Sequence, residues 1–189
     1  KQSPDNGAGV DCSLEQRRAS LRDPVRRLGA GDQGVMVGYA CSETPQMLPL
    51  PVVLAHRLAS CLTTARKSGM VRGLCPDGKA QVTVEYDEDG RPLRLDTVVL
   101  SAQHSPEKPT DELFWELTDK VLAPALQALP PDEDTKILLN PSGRFVLGGP
   151  EADTGLTGRK LMVDSYGVFA PHGGGAFSGK DPTKVDRSG

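Results

Sequence analysis

The chain has no apolar run of about 18 residues, so no segment reads as a membrane-spanning helix. Its first residues show neither a charged stretch nor an apolar one of the kind that makes a secretory leader. Its four cysteines, Cys12, Cys41, Cys61 and Cys75, form no CxxC pair, which argues against a zinc site and a dense disulfide framework. A basic surplus is also lacking, since 22 Lys and Arg stand against 25 Asp and Glu for a formal charge of −3. A protein that held nucleic acid through a general basic surface would need the opposite balance. Aromatic residues are scarce, at 4%. What these absences leave is a soluble cytoplasmic protein with reduced thiols, no membrane and no nucleic-acid partner.

What the chain does hold is glycine and proline, 21 and 16 in 189 residues. Glycine supplies positive φ, and proline interrupts helices and central strands, so much of the chain is expected in shaped loops. With 37% hydrophobic residues there is still enough apolar material for one domain, or one domain and part of another.

Residues 1–27 carry Gly, Pro, Asp, Ser and Arg without a sustained apolar period and read as a long loop. Loops of this length are functional or disordered, and a chain that opens on one without Met looks like a piece of something larger. VMVGYA, after the glycines of GAGDQG, suits a buried strand. PLPVVLAHRLASCLTTARKSG begins with proline in its first turn and ends on a basic turn followed by Gly69, the pattern of a helix. AQVTVEY and LRLDTVVLSAQ alternate with period two around Asp87–Gly90 and predict an antiparallel hairpin with Val82, Val84 and Tyr86 on one face.

Asp111–Ala128 places Leu113, Leu117, Val121 and Leu122 at helical spacing behind a Thr110 cap, with Pro124 set to kink or end the helix and Phe114 and Trp115 assigned to the core. KILLN and GRFVLGG read as a short strand pair around the NPSG turn, and RKLMVDSYG as a further strand with Tyr166 packing at its end. The order describes a two-layer α/β domain of the α+β type over residues 28–148, and a new unit from 149 to 189 that stops before completing a core.

The most informative segment is HGGGAFSGKDPTKVDRSG, where successive glycines bare the backbone amides and Lys180 and Lys184 follow four apart. Such a loop suits a polyphosphate. Gly174–Lys180 also fits GxxxxGK, the phosphate-cradling loop, but Asp181 stands where Ser or Thr would hold Mg²⁺, and Pro182 follows in place of a clear helix. A true P-loop, a flexible glycine linker and another kind of anion loop stay open on residue types alone. DTGLTGRK sets Asp153 before the Arg159 and Lys160 pair, which reads either as a phosphate grip or as a solvated strand start. Asp77 and Lys79 in CPDGKAQ read equally as a hairpin-entry turn. GAGDQG runs into a strand-like segment and does not open a helix, unlike a dinucleotide loop. His56, His104 and His172 show no metal-ligand spacing and read as structural. Ser13, Ser20 and Ser178 have no visible base partner.

GAGDQG, the DGKAQVT run, GGPEADTGLTGRK and HGGGAFSGKDPTKVDRS, in this order, resemble the signature segments of the S-adenosylmethionine synthetase (methionine adenosyltransferase) family. The resemblance covers nearly the whole chain. It implies one of three similar intertwined α/β domains plus part of another. The implied reaction joins ATP and L-methionine by sulfur attack on the ribose C5′, and the triphosphate that leaves is hydrolysed to pyrophosphate and phosphate.

Carried over residue by residue, the resemblance implies that Asp77 and Lys79 contact ATP, and that Ser142, Arg144 and Phe145 line the nucleotide site. Arg159, Lys160 and Lys180 hold the polyphosphate as the catalytic cations, and Ala176 touches the nucleotide. Gln2 and Lys184 match methionine contacts, Asp153 matches a position touching both substrates, and Asp186 falls near the metal. Two Mg²⁺ per site, K⁺ and a homodimer or homotetramer with shared active sites are implied as well, with residues 2–12 as a mobile gate. Family members are roughly twice as long, and the part that would precede Lys1 carries a catalytic His, a Mg²⁺ carboxylate, the K⁺ Glu and a methionine-binding Glu. The chain alone is therefore expected to be inactive. A nucleotide-binding or regulatory relative without catalysis is the alternative.

Overall fold

Helix α1, Leu50–Lys67, begins where the sequence places it, with Pro49 as N-cap and Pro51 in the first turn, where a missing N–H costs nothing. One orphan donor of that turn, the Leu50 N–H, is met by Glu43 Oε2 at 2.9 Å, which puts a carboxylate at the positive end of the helix. The same oxygen accepts the Tyr86 hydroxyl at 2.8 Å. The helix ends at Ser68 behind Arg66 and Lys67, and Gly69 takes φ +71°, the conformation that lets the chain leave the last turn. Val53, Leu54, Leu58 and Ala65 form its buried stripe, and His56 is exposed.

The computed structural model describes residues 4–5, 35–154, 160–172, 174–175 and 187. They fall into two units, Ala40–Gly155 and a second made of Lys1–Tyr39 with Leu156–Gly189. In the first, β1 (Leu74–Tyr86) and β2 (Pro92–His104) pair antiparallel. Their turn closes through Asp87 Oδ1, which accepts the Arg91 N–H at 2.7 Å. Val82, Val84 and Tyr86 share the half-buried face of β1, as the alternation predicts.

Strand β3 (Lys136–Leu139) lies on the far side of β2 and runs parallel to it, giving a mixed three-stranded sheet in the order β1-β2-β3. The lead-in to β3 is clamped by Arg94, whose Nε and Nη2 meet the two oxygens of Asp132 at 2.7 and 2.8 Å. Leu95, Val98, Leu100 and Ala102 of β2 face Leu54 and Leu58 of α1 and the second helical run in one apolar core. The result is a two-layer α+β domain.

That second run departs from the sequence expectation in three ways. Thr110 is not the cap but the first residue of α2 (Thr110–Leu117), and Pro109 precedes it without a side-chain cap. The helix then widens into a π-turn over Thr118–Leu122, where the Ala123 N–H reaches the Thr118 carbonyl, and closes over Ala123–Ala125. Pro124 has no N–H, and its ring crowds the carbonyl four residues earlier, so a wider turn just before it relieves the clash. Trp115 is 64% exposed instead of core, because it lies opposite the Leu113, Leu117 and Val121 stripe. Lys120 Nζ sits 5.8 Å from its ring centroid.

Between the helix start and the π-turn, the buried Lys108 ammonium bonds to Glu112 and Glu116, and Lys120 bonds to Glu116 at 2.7 Å. Burial pulls the Lys108 ammonium down, but the two carboxylates outweigh it and hold it above its usual range. The bonds from Lys108 and Lys120 hold Glu116 below the usual carboxylate range.

Three expected strands are absent. Val35–Ala40, the VMVGYA segment, has no regular structure and Val35 is 69% exposed. A strand exists only through a ladder partner, and among the described residues none pairs with it. GRFVLGG is not a strand either, since its ladder-like bonding to β2 is confined to Phe145 against His104. In the second unit, RKLMVDSYG gives a helical turn, Leu161–Asp164, and a 3₁₀ turn, Gly167–Phe169. The Lys160 carbonyl accepts the N–H groups of both Val163 and Asp164, which closes the chain into a turn. Tyr166 therefore lies at no strand end, and it packs on Tyr39 with ring centroids 6.2 Å apart.

Candidate functional site

The site begins with an irregularity in β1. Leu74 pairs with His104, but the next ladder pair is Gly78 with Ala102, so four steps along β1 match two along β2. Cys75–Asp77 are pushed off the ladder as a bulge, the device by which a strand re-aims a side chain. The Asp77 N–H goes to the side chain of Gln103, with Oε1 at 3.1 Å. Asp77 Oδ2 accepts the Gly149 N–H at 2.8 Å. Lys79 is back in register opposite Ser101.

The opposing wall follows β3. Asn140 is buried and takes φ +42°, a conformation that asparagine tolerates better than most residues. Its side-chain amide pairs with Ala102 in both directions, Oδ1 accepting the N–H at 2.8 Å and Nδ2 donating to the carbonyl at 3.2 Å. The chain turns as the Gly143 N–H bonds to the Asn140 carbonyl at 2.8 Å, with Gly143 at φ +95°. Beyond the turn, Arg144 Nη2 donates to the Pro106 carbonyl. His104 donates its backbone N–H to the Phe145 carbonyl at 2.9 Å, and the Phe145 N–H lies 3.3 Å from His104 Nε2. Nδ1 of the same ring is 2.9 Å from the Ser105 carbonyl. Both ring nitrogens are thus engaged with backbone groups, so His104 is a buried fastener.

Between these walls lies a cleft of about 300 Å³ bordered by Asp77, Gly78, Lys79, Ser142, Arg144 and Phe145, with Ser101 and Asn140 also in its lining. Five residues named from the sequence, Asp77, Lys79, Ser142, Arg144 and Phe145, thus border one cavity. The bulged strand, not a hairpin-entry turn, presents Asp77. The cleft offers two cations, a carboxylate, two hydroxyls and an aromatic ring, a set that suits a charged ligand with a flat ring.

Of the other named residues, Asp153 and Lys160 are among those described, and Asp153 is not in the lining of this cleft. Asp153 is exposed, and its N–H donates to the Gly149 carbonyl at 3.1 Å. In the second unit, Lys160 is exposed at the head of the Leu161–Asp164 turn. Gln2, Arg159, Ala176, Lys180, Lys184 and Asp186 lie outside the described residues. At the start of the glycine run, His172 Nδ1 accepts the Gly174 N–H at 2.9 Å, and Gly174 and Gly175 take φ +99° and +104°. The strand that a P-loop requires upstream is replaced by helical turns, which counts against that reading. Among the described residues no three His, Cys, Asp or Glu side chains converge on a metal position. Also among the described residues, no helix is long and apolar enough to cross a membrane.

Sequence reasoning missed Gln103, Ser101 and the pairing role of Asn140. NPSG signalled a turn, but nothing in spacing indicated that its asparagine would act as a strand peptide for Ala102.

A one-sided sheet backed by helices, with a polar cleft where a bulged strand faces a turn, defines an α+β domain with one candidate site for a small ligand. Residues 27–145 match the central domain of S-adenosylmethionine synthetase, and residues 147–189 match the C-terminal domain of the same protein. The chain belongs to the S-adenosylmethionine synthetase family. It is 57% identical over 188 residues to the S-adenosylmethionine synthase of Petrotoga mobilis, covering 100% of this chain and 47% of that protein. The S-adenosylmethionine synthase of Corynebacterium urealyticum is 59% identical over 191 residues, with 99% and 48% covered. That of Thermus thermophilus is 58% identical over 192 residues, with 100% and 48% covered. The chain spans about half the length of the curated relatives it matches.

Proposed function

We propose that this chain supplies the central domain and part of the C-terminal domain of a methionine adenosyltransferase, which makes S-adenosylmethionine from ATP and L-methionine. The observation that carries the reading is the single cleft bordered by Asp77, Lys79, Ser142, Arg144 and Phe145. Residues 28–148 form the central domain, residues 149–189 open the C-terminal one, and residues 1–27 act as loop and gate.

In this reading the methionine sulfur donates its electron pair to the ribose C5′, the C5′–O bond breaks, and triphosphate departs with that bonding pair. Water then cleaves triphosphate to pyrophosphate and phosphate. The cleft binds the nucleoside end, with Phe145 against the base and Arg144 and Lys79 as cations. Arg159, Lys160 and Lys180 stabilise the charge that grows on the departing oxygen, which fixed cations do without reorganising. Ala176 borders the nucleotide, Asp153 pairs with the methionine amino group, and Gln2 and Lys184 hold methionine.

Two Mg²⁺ and one K⁺ belong to the reading, with Asp186 the residue here that would face metal. When bound, Mg²⁺ neutralises the polyphosphate. A cytoplasmic homodimer or homotetramer with shared sites completes the proposal. The test is to incubate the full-length protein with ATP, methionine, Mg²⁺ and K⁺ and to seek S-adenosylmethionine by mass spectrometry. Product is expected, and its absence overturns the catalytic reading.

A further inference from the structure

The bulge that frees Asp77 from the ladder of β1 also strips its N–H of a strand partner, and a half-buried donor left unmet is costly. Gln103 supplies the missing acceptor from its side chain, with Oε1 3.1 Å from the Asp77 nitrogen. The other end of the same amide, Nε2, donates to the Val146 carbonyl at 3.0 Å. One rigid planar group therefore has its acceptor on one wall of the cleft and its donor on the other. Asp77 Oδ2 closes the loop on the Gly149 N–H at 2.8 Å.

The fit around that amide is tight. A Cβ on Gly148 would fall 2.8 Å from Gln103 Cδ and 2.9 Å from Phe145 Cε2, closer than carbon atoms pack. Asn140 also acts as a surrogate peptide, but both its bonds go to Ala102, so it fixes the turn to β2 and leaves β1 untouched. Gln103 ties β1 itself to the segment that carries Arg144 and Phe145.

We infer that Gln103 is a positioning residue that sets the spacing between Asp77 and Lys79 on one side of the cleft and Arg144 and Phe145 on the other. This rests on the reading of the cleft as the ATP site. Loss of the amide lets the two walls drift, so fewer molecules present both sets of contacts to the nucleotide at once. Binding weakens, while the chemical step, which occurs only after the walls close on ATP, proceeds as before.

The experiment uses the full-length protein with Gln103→Met, similar in length but without the two bonds, and Gln103→Glu, which keeps the acceptor toward Asp77 and loses the donor toward Val146. Gln103→Met is expected to raise KM for ATP roughly tenfold, with kcat within about twofold and KM for methionine unchanged. Hydrogen exchange should quicken over residues 145–149 and stay slow in α1. Gln103→Glu should give a smaller rise, and it decides the matter if the Met variant does not fold.

An unchanged KM for ATP with unchanged exchange overturns the inference, as does a fall in kcat at constant KM, the mark of a merely structural loss. Arg144→Ala separates the two levels of the argument. If it raises KM for ATP while Gln103→Met does not, the positioning role falls and the cleft reading stands. If the unaltered protein makes no product, both fall.

Discussion

Asp77 accepts the Gly149 N–H at 2.8 Å across 72 positions of sequence. That bond commits one carboxylate oxygen to structure and leaves the other for a ligand, so two substitutions should separate the functions. Asp77→Asn keeps an oxygen that can accept the Gly149 N–H but removes the charge, and is expected to hold stability while weakening ATP binding. Asp77→Ala loses both and should also lower unfolding free energy by about 1–2 kcal/mol. Isothermal titration with ATP and urea unfolding of the full-length variants check the pair. Equal stability losses in both would refute the assignment.

Gly78, next to Asp77 on β1, is glycine for a steric reason. A Cβ there would lie 2.8 Å from both Leu62 Cδ2 and the Ser101 carbonyl oxygen, and the backbone oxygen cannot swing away. Gly78→Ala is expected to cost about 1–3 kcal/mol through overpacking and to shift Lys79 with the strand. Denaturant melts read the cost. A neutral result would mean that β1 has slack at its bulge.

Much of this architecture was legible in the sequence. Helix α1 shows its proline start, basic last turn and Gly69 exit, and the hairpin shows its period-two alternation, because both depend on local rules. The misread segments depend on partners. VMVGYA has strand-forming residues without a ladder, and RKLMVDSYG is drawn into turns by the Lys160 carbonyl. Trp115 was assigned inward by residue type, although its angular position places it outside. At the candidate site Asp77, Lys79, Ser142, Arg144 and Phe145 were reached through the family resemblance, because residue type and spacing alone left Asp77 and Lys79 equally readable as a turn. Gln103 was not reached, since its importance arises only where the bulge leaves the Asp77 N–H unpartnered.

The Lys108 cluster predicts a pH profile. Bonds from Lys108 and Lys120 lower the Glu116 carboxyl from its ordinary 4.5, so its contribution is full above that value and lost as pH falls through the depressed native one. Lys108, where the carboxylates outweigh burial, is raised from 10.5. Its contribution is full below that value and fades as pH rises through the native one. Arg94 depresses Asp132 in the same sense as Glu116, adding to the acid limb. Stability should therefore be flat between about pH 5 and 10 as far as these groups are concerned. Glu116→Gln should cost about 1–3 kcal/mol at neutral pH and leave a shallower acid limb than the unaltered protein. Urea unfolding at a series of pH values tests this, and an acid limb of unchanged depth would exclude Glu116 as a source.

The proposed division of labour between the cleft and the glycine-rich loop makes a kinetic prediction. Contacts to the nucleoside end are the same before and during the reaction, so losing one weakens binding and raises KM. Charge on the departing triphosphate oxygen grows only as the C5′–O bond breaks, so a cation aimed there lowers the barrier without binding ATP more tightly. Lys180→Ala in the full-length enzyme should therefore reduce kcat by roughly 10² or more with little change in KM for ATP. Arg144→Ala should do the reverse. Steady-state kinetics on the two variants check the split, and single-turnover measurements show whether the Lys180→Ala defect lies in C5′–O cleavage or in later hydrolysis of triphosphate. A Lys180→Ala enzyme that turns over at the original rate would remove Lys180 from the reaction, leaving Arg159 and Lys160 to account for the leaving-group charge.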